Sequence, residues 1–295
     1  MNIQMSVSED QRDSVTQLST SNDLPWIVGL SDVHGYLDEA HSALLALNDH
    51  PNLPPVVKKD KSGNLHWAGE NYVLVLNGDM INRGPSSEAV LDLAFRLIEE
   101  APPGRVRYVL GNHEAMALTP GPWVHTGWYS TRLSSQGRQA FIKMIQDGHI
   151  VAAYEGHNHT WVHAGSPGPL NASDVNDQLL SAANNLWNVS IEDIRGQEQA
   201  LKDYAEILGM GEPSLKGPGA GLVWLAFKHL PSNAPPQVVG HTPHREPTRK
   251  GNVVCQDVIL RNIDSPGGEG VIVETPDNVF AVRRKKDGGV STREV

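Results

Sequence analysis

The chain has 295 residues, 39% hydrophobic and 20% charged, the balance of a soluble globular protein with enough length to bury a substantial core. Its formal net charge of -10 and sequence pI of about 5.7 argue against a non-specific binder of nucleic acid or of anionic membranes. The single cysteine, Cys255, excludes an internal disulfide framework and a cysteine-rich metal site, and sits as a small residue in a strand-like run.

Residues 1–23 are polar and acidic, without the apolar centre or basic flank of a leader segment, and are expected to form a flexible tail on a cytoplasmic protein. No apolar run reaches the ~20 residues that span a bilayer. From Pro25 onward short apolar runs alternate with helical patterns. "WIVGL" is a strand candidate that stops at Ser31-Asp32, and Leu37, Ala40, Leu44 and Leu47 then recur at helical spacing. Asp38 and Glu39 lie in the first turn of that helix, where its dipole favours anions. Residues 48–70, with Pro, Asn, Lys and Gly, predict a long loop. "NYVLVL" is the next strand, "PSSEAVLDLAFRLIEE" the next helix with Pro85 near its start, and "RVRYVL" a third strand. A helix over 134–148 ends at Gly148, and "TWVHAG" is a strand that ends in a histidine. Residues 170–220 are polar and partly helical and predict an inserted helical cap. The runs "QVVG", "NVVCQDVIL", "GVIVET" and "VFAVRR" make the end of the chain β-rich. One domain is expected over residues 24–286, with 287–295 as a charged C-terminal tail. Alternating strands and helices imply an α/β fold with its site at the carboxyl ends of the strands.

Five polar clusters stand directly after strand candidates. They are Asp32 with His34; Asp79 with Arg83; Asn112 with His113 and Glu114; His163; and His241. Each is weak alone, since a single histidine is more often a surface or core residue than a ligand. Together Asp32, His34, Asp79, Asn112, His163 and His241 mix carboxylate, amide and imidazole with no thiolate. That inventory suits borderline divalent ions such as Mn, Fe or Zn and argues against a closed structural zinc site. Six ligands exceed what one open catalytic ion needs, and two ions sharing a carboxylate would use them all. Such a pair, ~3.5–4 Å apart, suits in-line phosphoryl displacement, with Arg83 supplying a bidentate guanidinium to the phosphate.

The ordered series "SDVHG", "GDMINRG", "GNHE", "VHAG" and "GHTP", over roughly residues 26 to 285, resembles the calcineurin-like metallophosphoesterase superfamily. Within it the chain is similar to PPP-type phosphoprotein phosphatases and their bacterial-type relatives, which include symmetrical diadenosine tetraphosphatases and Shewanella-like phosphatases. The resemblance implies the four-layer metallophosphoesterase fold, a two-sheet β-sandwich flanked by helices, in place of an open sheet. It also implies Asp32 and His34 on one metal, Asp79 bridging, and Asn112, His163 and His241 on the other. Arg83 would hold phosphate, and His113 would protonate the leaving oxygen. In branches that end in Gly-His-x-His a further ligand follows the first histidine by two; here that place is Pro243, which leaves His244 a poor candidate.

Three departures from the family pattern stand out. Ser31 replaces the usual glycine before Asp32. Asn82 occupies the place of the Asp that pairs with the general-acid histidine, as in the diadenosine tetraphosphatase branch, so His113 should be a poor proton reservoir near neutral pH. Bacterial-type relatives often carry a second phosphate-binding Arg in Trp-x-Arg, whereas this chain has Trp224-Leu225-Ala226; Arg195, Lys216 and Arg245 are the alternatives, each more ordinary as a solvated charge. His157 and His159 fall in a turn before the His163 strand. Trp123 and Trp128 could stack on an aryl group or pack under a loop. "GPGAG" at 217–221 is a turn, lacking the setting of a phosphate loop. The expected function is hydrolysis of phosphate monoesters on phosphoproteins or small aryl and nucleotide phosphates, with two divalent ions, Mn foremost. A dinucleoside polyphosphate hydrolase and a non-catalytic phospho-ligand module are the alternatives.

Overall fold

Along most strands of the two larger sheets, alternate side chains divide between two hydrophobic clusters, and this division shows two stacked sheets. The computed structural model describes residues 13–18 and 24–295. One sheet is built on β1 (Trp26–Leu30), and β2 (Val57–Lys59) and β3 (Leu65–Trp67) form a separate hairpin. Parallel to β1 run β4 (Tyr72–Leu76), β5 (Val106–Val109) and β6 (Ile150–Val151). The second sheet takes β7 (Ala153–Glu155), β8 (Thr160–Val162), β9 (Gln237–Val239), β10 (Thr248–Lys250) and β11 (Val253–Cys255), in the order β10-β11-β9-β8-β7. The chain then returns to the other edge of β1 with antiparallel β12 (Gly270–Glu274), β13 (Val279–Arg284) and β14 (Val290–Glu294).

Ile27, Val73, Val75, Val109 and Ile272 of the first sheet join Tyr154, Trp161, Val238 and Val254 of the second in one cluster, the layer between the sheets. Burial of such side chains stabilises the fold by about 1.5–3 kcal/mol each. Gly29 is required here, because a Cβ on it would come within 2.0 Å of the Trp161 ring. The alternate residues Val28, Leu74, Leu76 and Tyr108 belong to the larger cluster under the helices α1 (Leu37–Asn48) and α2 (Ser87–Glu100). The arrangement is the mixed α/β sandwich flanked by helices that the family resemblance implies, and not an open sheet. α3 (Asn112–Leu118) and α4 (Ser135–Gln146) follow β5. The 170–220 segment forms α5 (Ala172–Trp187), α6 (Ile194–Asp203) and α7 (Ala205–Leu208). α5 packs on α4 and β7, so that part of the expected cap is a flanking layer.

Three expectations are corrected. The charged end of the chain is no tail over 290–294: it is edge strand β14, paired with β13. Its polar composition is that of a protected sheet edge, which composition alone does not separate from a tail. Residues 13–18 of the expected N-terminal tail dock against the second sheet, with Val15 fully buried and the Glu155 N–H donating to the Asp13 carbonyl at 2.7 Å; the rest of that segment lies outside the described residues. The 48–70 loop contains the β2–β3 hairpin. No helix among the described residues is long and apolar enough to cross a membrane.

Candidate metal and phosphate site

Because β1, β4 and β5 are parallel in one sheet and β8 and β9 are parallel in the other, the carboxyl ends of all five strands open on one edge of the sandwich. Asp32 and His34 follow β1, Asp79, Asn82 and Arg83 follow β4, Asn112 and His113 open α3, His163 follows β8, and His241 follows β9. All are buried except Arg83, which is exposed at the rim. The structure thus brings every site residue expected from the sequence to one place.

The loops that carry these side chains are bent out of ordinary backbone conformations. Among the described residues eight non-glycine residues have positive φ, and six of them are Asp32, His34, Asp79, Asn82, Arg83 and His241. Such conformations are costly for side-chain-bearing residues and persist where surrounding bonds over-determine them. Here the His34 N–H donates to the Asp79 carbonyl at 2.8 Å and the Asp32 N–H to the Gly78 carbonyl at 3.0 Å. Gly78 combines a φ of +82° with a close approach, a Cβ there meeting His163 Nδ1 at 2.5 Å. Glu114, to which the sequence reading gave no role, is the main anchor. Its buried carboxylate accepts from the backbone N–H of Asp79 (2.8 Å), Met80 (2.9 Å) and Gly111 (3.1 Å) and from the Tyr108 hydroxyl (2.9 Å). Glu114→Ala leaves these four donors without their acceptor, and a stability loss of about 3–5 kcal/mol is expected. Urea unfolding of the ion-free protein checks this; a loss below about 1 kcal/mol would show that Glu114 is not the anchor.

Asp79 stands at the centre of the cluster. Its Oδ1 accepts the His113 N–H at 2.9 Å, while Oδ2 lies 3.8 Å from His34 Nε2 and 3.4 Å from His163 Nε2. His34, Asp79 and His113 form one group that could hold a metal ion, and Asp79, His163 and His241 form another. Asp32 Oδ1, 3.9 Å from His34 Nε2, adjoins the first group, and Asn112 Oδ1, 3.3 Å from His163 Nε2, adjoins the second. The donor atoms are prepared by what holds the far side of each ring. His34 Nδ1 is 3.3 Å from the Ile81 carbonyl, and His163 Nδ1 is 3.0 Å from that of Asn77, which leaves both Nε2 atoms facing Asp79. In His241 the arrangement is reversed: Nε2 bonds to the Trp224 carbonyl at 3.0 Å, and Nδ1 is buried without a partner. An orphaned imidazole nitrogen in a carboxylate-lined cleft fits a metal ligand. Burial opposes charge on Asp79, yet His163 and His113 hold its carboxyl well below the usual range. His163, which burial alone would make less basic, is pushed up to about 10 by Asp79 and Asp32. An entering ion would take the place of that proton.

Asn82 is locked from two sides. Its Oδ1 accepts the Ser130 N–H at 2.9 Å, so its Nδ2 donates to the Ser130 hydroxyl at 3.0 Å and to His113 Nδ1 at 2.7 Å. A ring that accepts at Nδ1 is neutral and carries its proton on Nε2, which points toward Asp79 Oδ2 at 3.9 Å and Arg83 Nη2 at 3.5 Å. Burial, with Arg83 adding to it against the pull of Asp79, lowers the pKa of His113 to about 4. The amide at position 82 therefore withholds a charge and also places a donor where imidazolium would need an acceptor.

The other candidates separate cleanly. His159 precedes β8 at the end opposite His163 and bonds to Glu274 at 2.9 Å, and His157 Nε2 lies 3.0 Å from the Pro25 carbonyl; both are structural. His244 packs edge-on against Phe227 and is in neither metal group. Trp123 stacks on Trp224, whereas Trp128 lies against the His113 ring with centroids 4.8 Å apart. Arg195 and Arg245 are exposed, and Lys216 is half-buried. A further residue missed in the sequence is Asp257, buried after β11, with neither carboxylate oxygen in a hydrogen bond. Burial and the neighbouring Asp32 and Asp79 raise its pKa well above the usual range.

The sequence profile described as Calcineurin-like phosphoesterase matches residues 25–264. The Shewanella-like protein phosphatase 1 of Plasmodium berghei (strain Anka) is 30% identical over 99 residues, which are 31% of this chain and 23% of that protein, so the chain matches less than a quarter of that relative. A mutant of a cold-active protein tyrosine phosphatase is similar in structure with a TM-score of 0.58 and 19% identity, covering 91% of this chain and 80% of the other. The cold-active protein tyrosine phosphatase of a psychrophilic Shewanella sp. matches with a TM-score of 0.55, again at 19% identity and the same coverage. At such identity these two structures show a shared fold.

Proposed function

The chain belongs to the calcineurin-like phosphoesterase family, and on that premise we propose that it is a hydrolase of phosphate monoesters that works with two divalent metal ions. The observation that carries this reading is the position of Asp79 Oδ2, one carboxylate oxygen facing both His34 Nε2 and His163 Nε2 and shared by both possible metal groups. Asp32 and His34 would hold one ion, Asn112, His163 and His241 the other, and Asp79 both. When bound, such ions supply a nucleophile from water at neutral pH and neutralise charge on the phosphoryl oxygens. The all-oxygen-and-nitrogen donor set favours Mn, with Fe or Zn as alternatives.

The chain's own part is positioning and charge. Arg83, exposed at the rim beside His113, is placed to form a paired hydrogen bond to a phosphate that enters from solvent. His113 Nε2–H is directed into the cleft as a hydrogen-bond donor toward the departing oxygen. Held neutral by Asn82, it is a weak acid, so leaving groups that depart as weak bases should be favoured: phenolates, and nucleotide phosphates among small substrates. A pocket of about 230 Å³ beside Arg83 is lined by Asn82, Trp128, Tyr129 and Arg132. That volume suits one aryl or nucleoside group and is small for a dinucleoside polyphosphate. The related proteins are protein phosphatases by name, which supports a phosphorylated substrate and a phosphoprotein among the candidates.

A panel assay with Mn tests the reading, comparing a nitrophenyl phosphate, a phosphotyrosine peptide and a dinucleoside tetraphosphate. The first two should turn over, the third at least about tenfold more slowly in kcat/KM. Tight binding of all three without turnover would instead identify a phospho-ligand module.

A further inference from the structure

We propose that Lys216, presented by the 211–217 turn, is the second phosphate-binding cation of this site and acts with Arg83. The inference rests on the phosphoesterase reading above and deepens it. The segment Trp224-Leu225-Ala226, which borders His241, carries no cation of its own. In the folded protein the Ala226 N–H donates to the Lys216 carbonyl at 3.0 Å. A lysine distant by ten residues is therefore bonded, backbone to backbone, to the segment that borders His241. The same short segment is part of the site: the Trp224 carbonyl accepts from the His241 ring, and the Phe227 N–H donates to the Thr242 hydroxyl at 3.0 Å.

The turn that holds Lys216 is as constrained as the metal loops. Of the eight described non-glycine residues with positive φ, the two outside those loops are Ser214 and Leu215, immediately before Lys216. Residue 211 bridges to residue 216, and a Cβ on Gly217 would meet the Glu212 carbonyl oxygen at 1.8 Å, so only glycine closes the turn. Backbone held in such conformations points to function at the residue it presents.

The surroundings of the ammonium agree. Lys216 is half-buried, and its charge interacts with Asp79, Asp32 and Asp257 and with Arg83, while His113 and His241 both feel its field. Among the described residues its ammonium is in no salt bridge, in contrast to Lys143 and Lys285. The other two candidate cations, Arg195 and Arg245, are exposed. A flexible lysine stem can cover apolar surface while its three donors reach an oxyanion. As a point charge in place of a planar fork, it would bind the phosphoryl group without demanding one orientation of the ester.

The test is calorimetric binding of inorganic phosphate to the Mn-loaded full chain, with KM for nitrophenyl phosphate in parallel. Lys216→Met should weaken phosphate binding and raise KM by about 10–100-fold, the size of one charge-assisted hydrogen bond. Metal content and the melting temperature of the ion-free protein should not change. Lys216→Arg should recover binding to within roughly threefold, since the charge is restored, and Arg195→Met should match the natural protein. If the natural protein binds phosphate and Lys216→Met binds it equally well, the lysine assignment is overturned and the phosphoesterase reading stands. Loss of metal or a lowered melting temperature in Lys216→Met without rescue by arginine would make the residue structural and also overturns the assignment. If the natural protein itself binds no phosphate with Mn, the phosphoesterase reading fails and takes this inference with it.

Discussion

Asp79→Asn is expected to leave the protein folded while lowering kcat/KM for an aryl phosphate by about 10³-fold or more. The carboxylate supplies the one oxygen that faces both halves of the site, 3.8 Å from His34 Nε2 and 3.4 Å from His163 Nε2. An amide cannot share a negative charge between two cations, and its NH2 group would place a donor against them. The other carboxylate oxygen has a structural task that asparagine can keep, because an amide oxygen still accepts the His113 N–H. Metal analysis should therefore fall from two ions per chain to one or fewer, while the melting temperature of the ion-free protein stays near its natural value. Two ions at full occupancy in the variant would show that Asp79 does not bridge them.

Asn82→Asp is expected to raise activity selectively. The Ser130 N–H that now fixes the amide oxygen would fix one carboxylate oxygen in the same place, and the other would accept from the Ser130 hydroxyl and from His113 Nδ1–H. An adjacent anion favours imidazolium and moves a histidine up by about 1–3 pKa units. From about 4 in the natural protein, His113 would then reach about 5–7. At pH 7 its protonated fraction grows from about 10⁻³ to between about 10⁻² and one half. A proton at the departing oxygen matters most when that oxygen leaves as a strong base. General acid help is worth about 10²–10⁴-fold, of which part, about 10–10²-fold, should appear for alkyl phosphates and little for nitrophenyl phosphate. The sign with pH follows: the gain is present below the raised pKa of His113 and is lost as pH rises through it. A leaving-group series on both proteins at saturating Mn measures this, and equal slopes against leaving-group pKa would mean that residues 82 and 113 do not act as a pair.

The sequence was most informative where chemistry and strand ends coincide. Asp32, His34, Asp79, Asn112, His163 and His241 each follow an apolar run, and a run of that length ends at the sheet edge whatever surrounds it. Donor type and strand position are both local, so the donor set and the place where these side chains collect were legible in the sequence. The same holds for β1 and β4, continuous apolar runs of strand length, and for α2, whose buried residues recur at helical spacing. What the sequence left open were polar segments whose state depends on a distant partner. The β14 strand has the composition of a tail and is ordered only by pairing with β13, and residues 13–18 are held by the second sheet.

The site shows the same boundary. That position 82 is an amide is a fact of sequence, and its consequence for His113 as an acid could be anticipated. The direction in which that amide points was decided by Ser130, 48 residues away, whose N–H donates to Oδ1 and so turns Nδ2 toward His113. Glu114 looked like part of a motif and became an anchor because three backbone N–H groups and a tyrosine converge on it in space. Lys216 looked like one surface charge among several. Its turn is bonded to Ala226 in the folded chain, and its charge there interacts with Asp79 and Asp32, since the reach of a charge is set by distance through space and the order of residues along the chain carries no such distance.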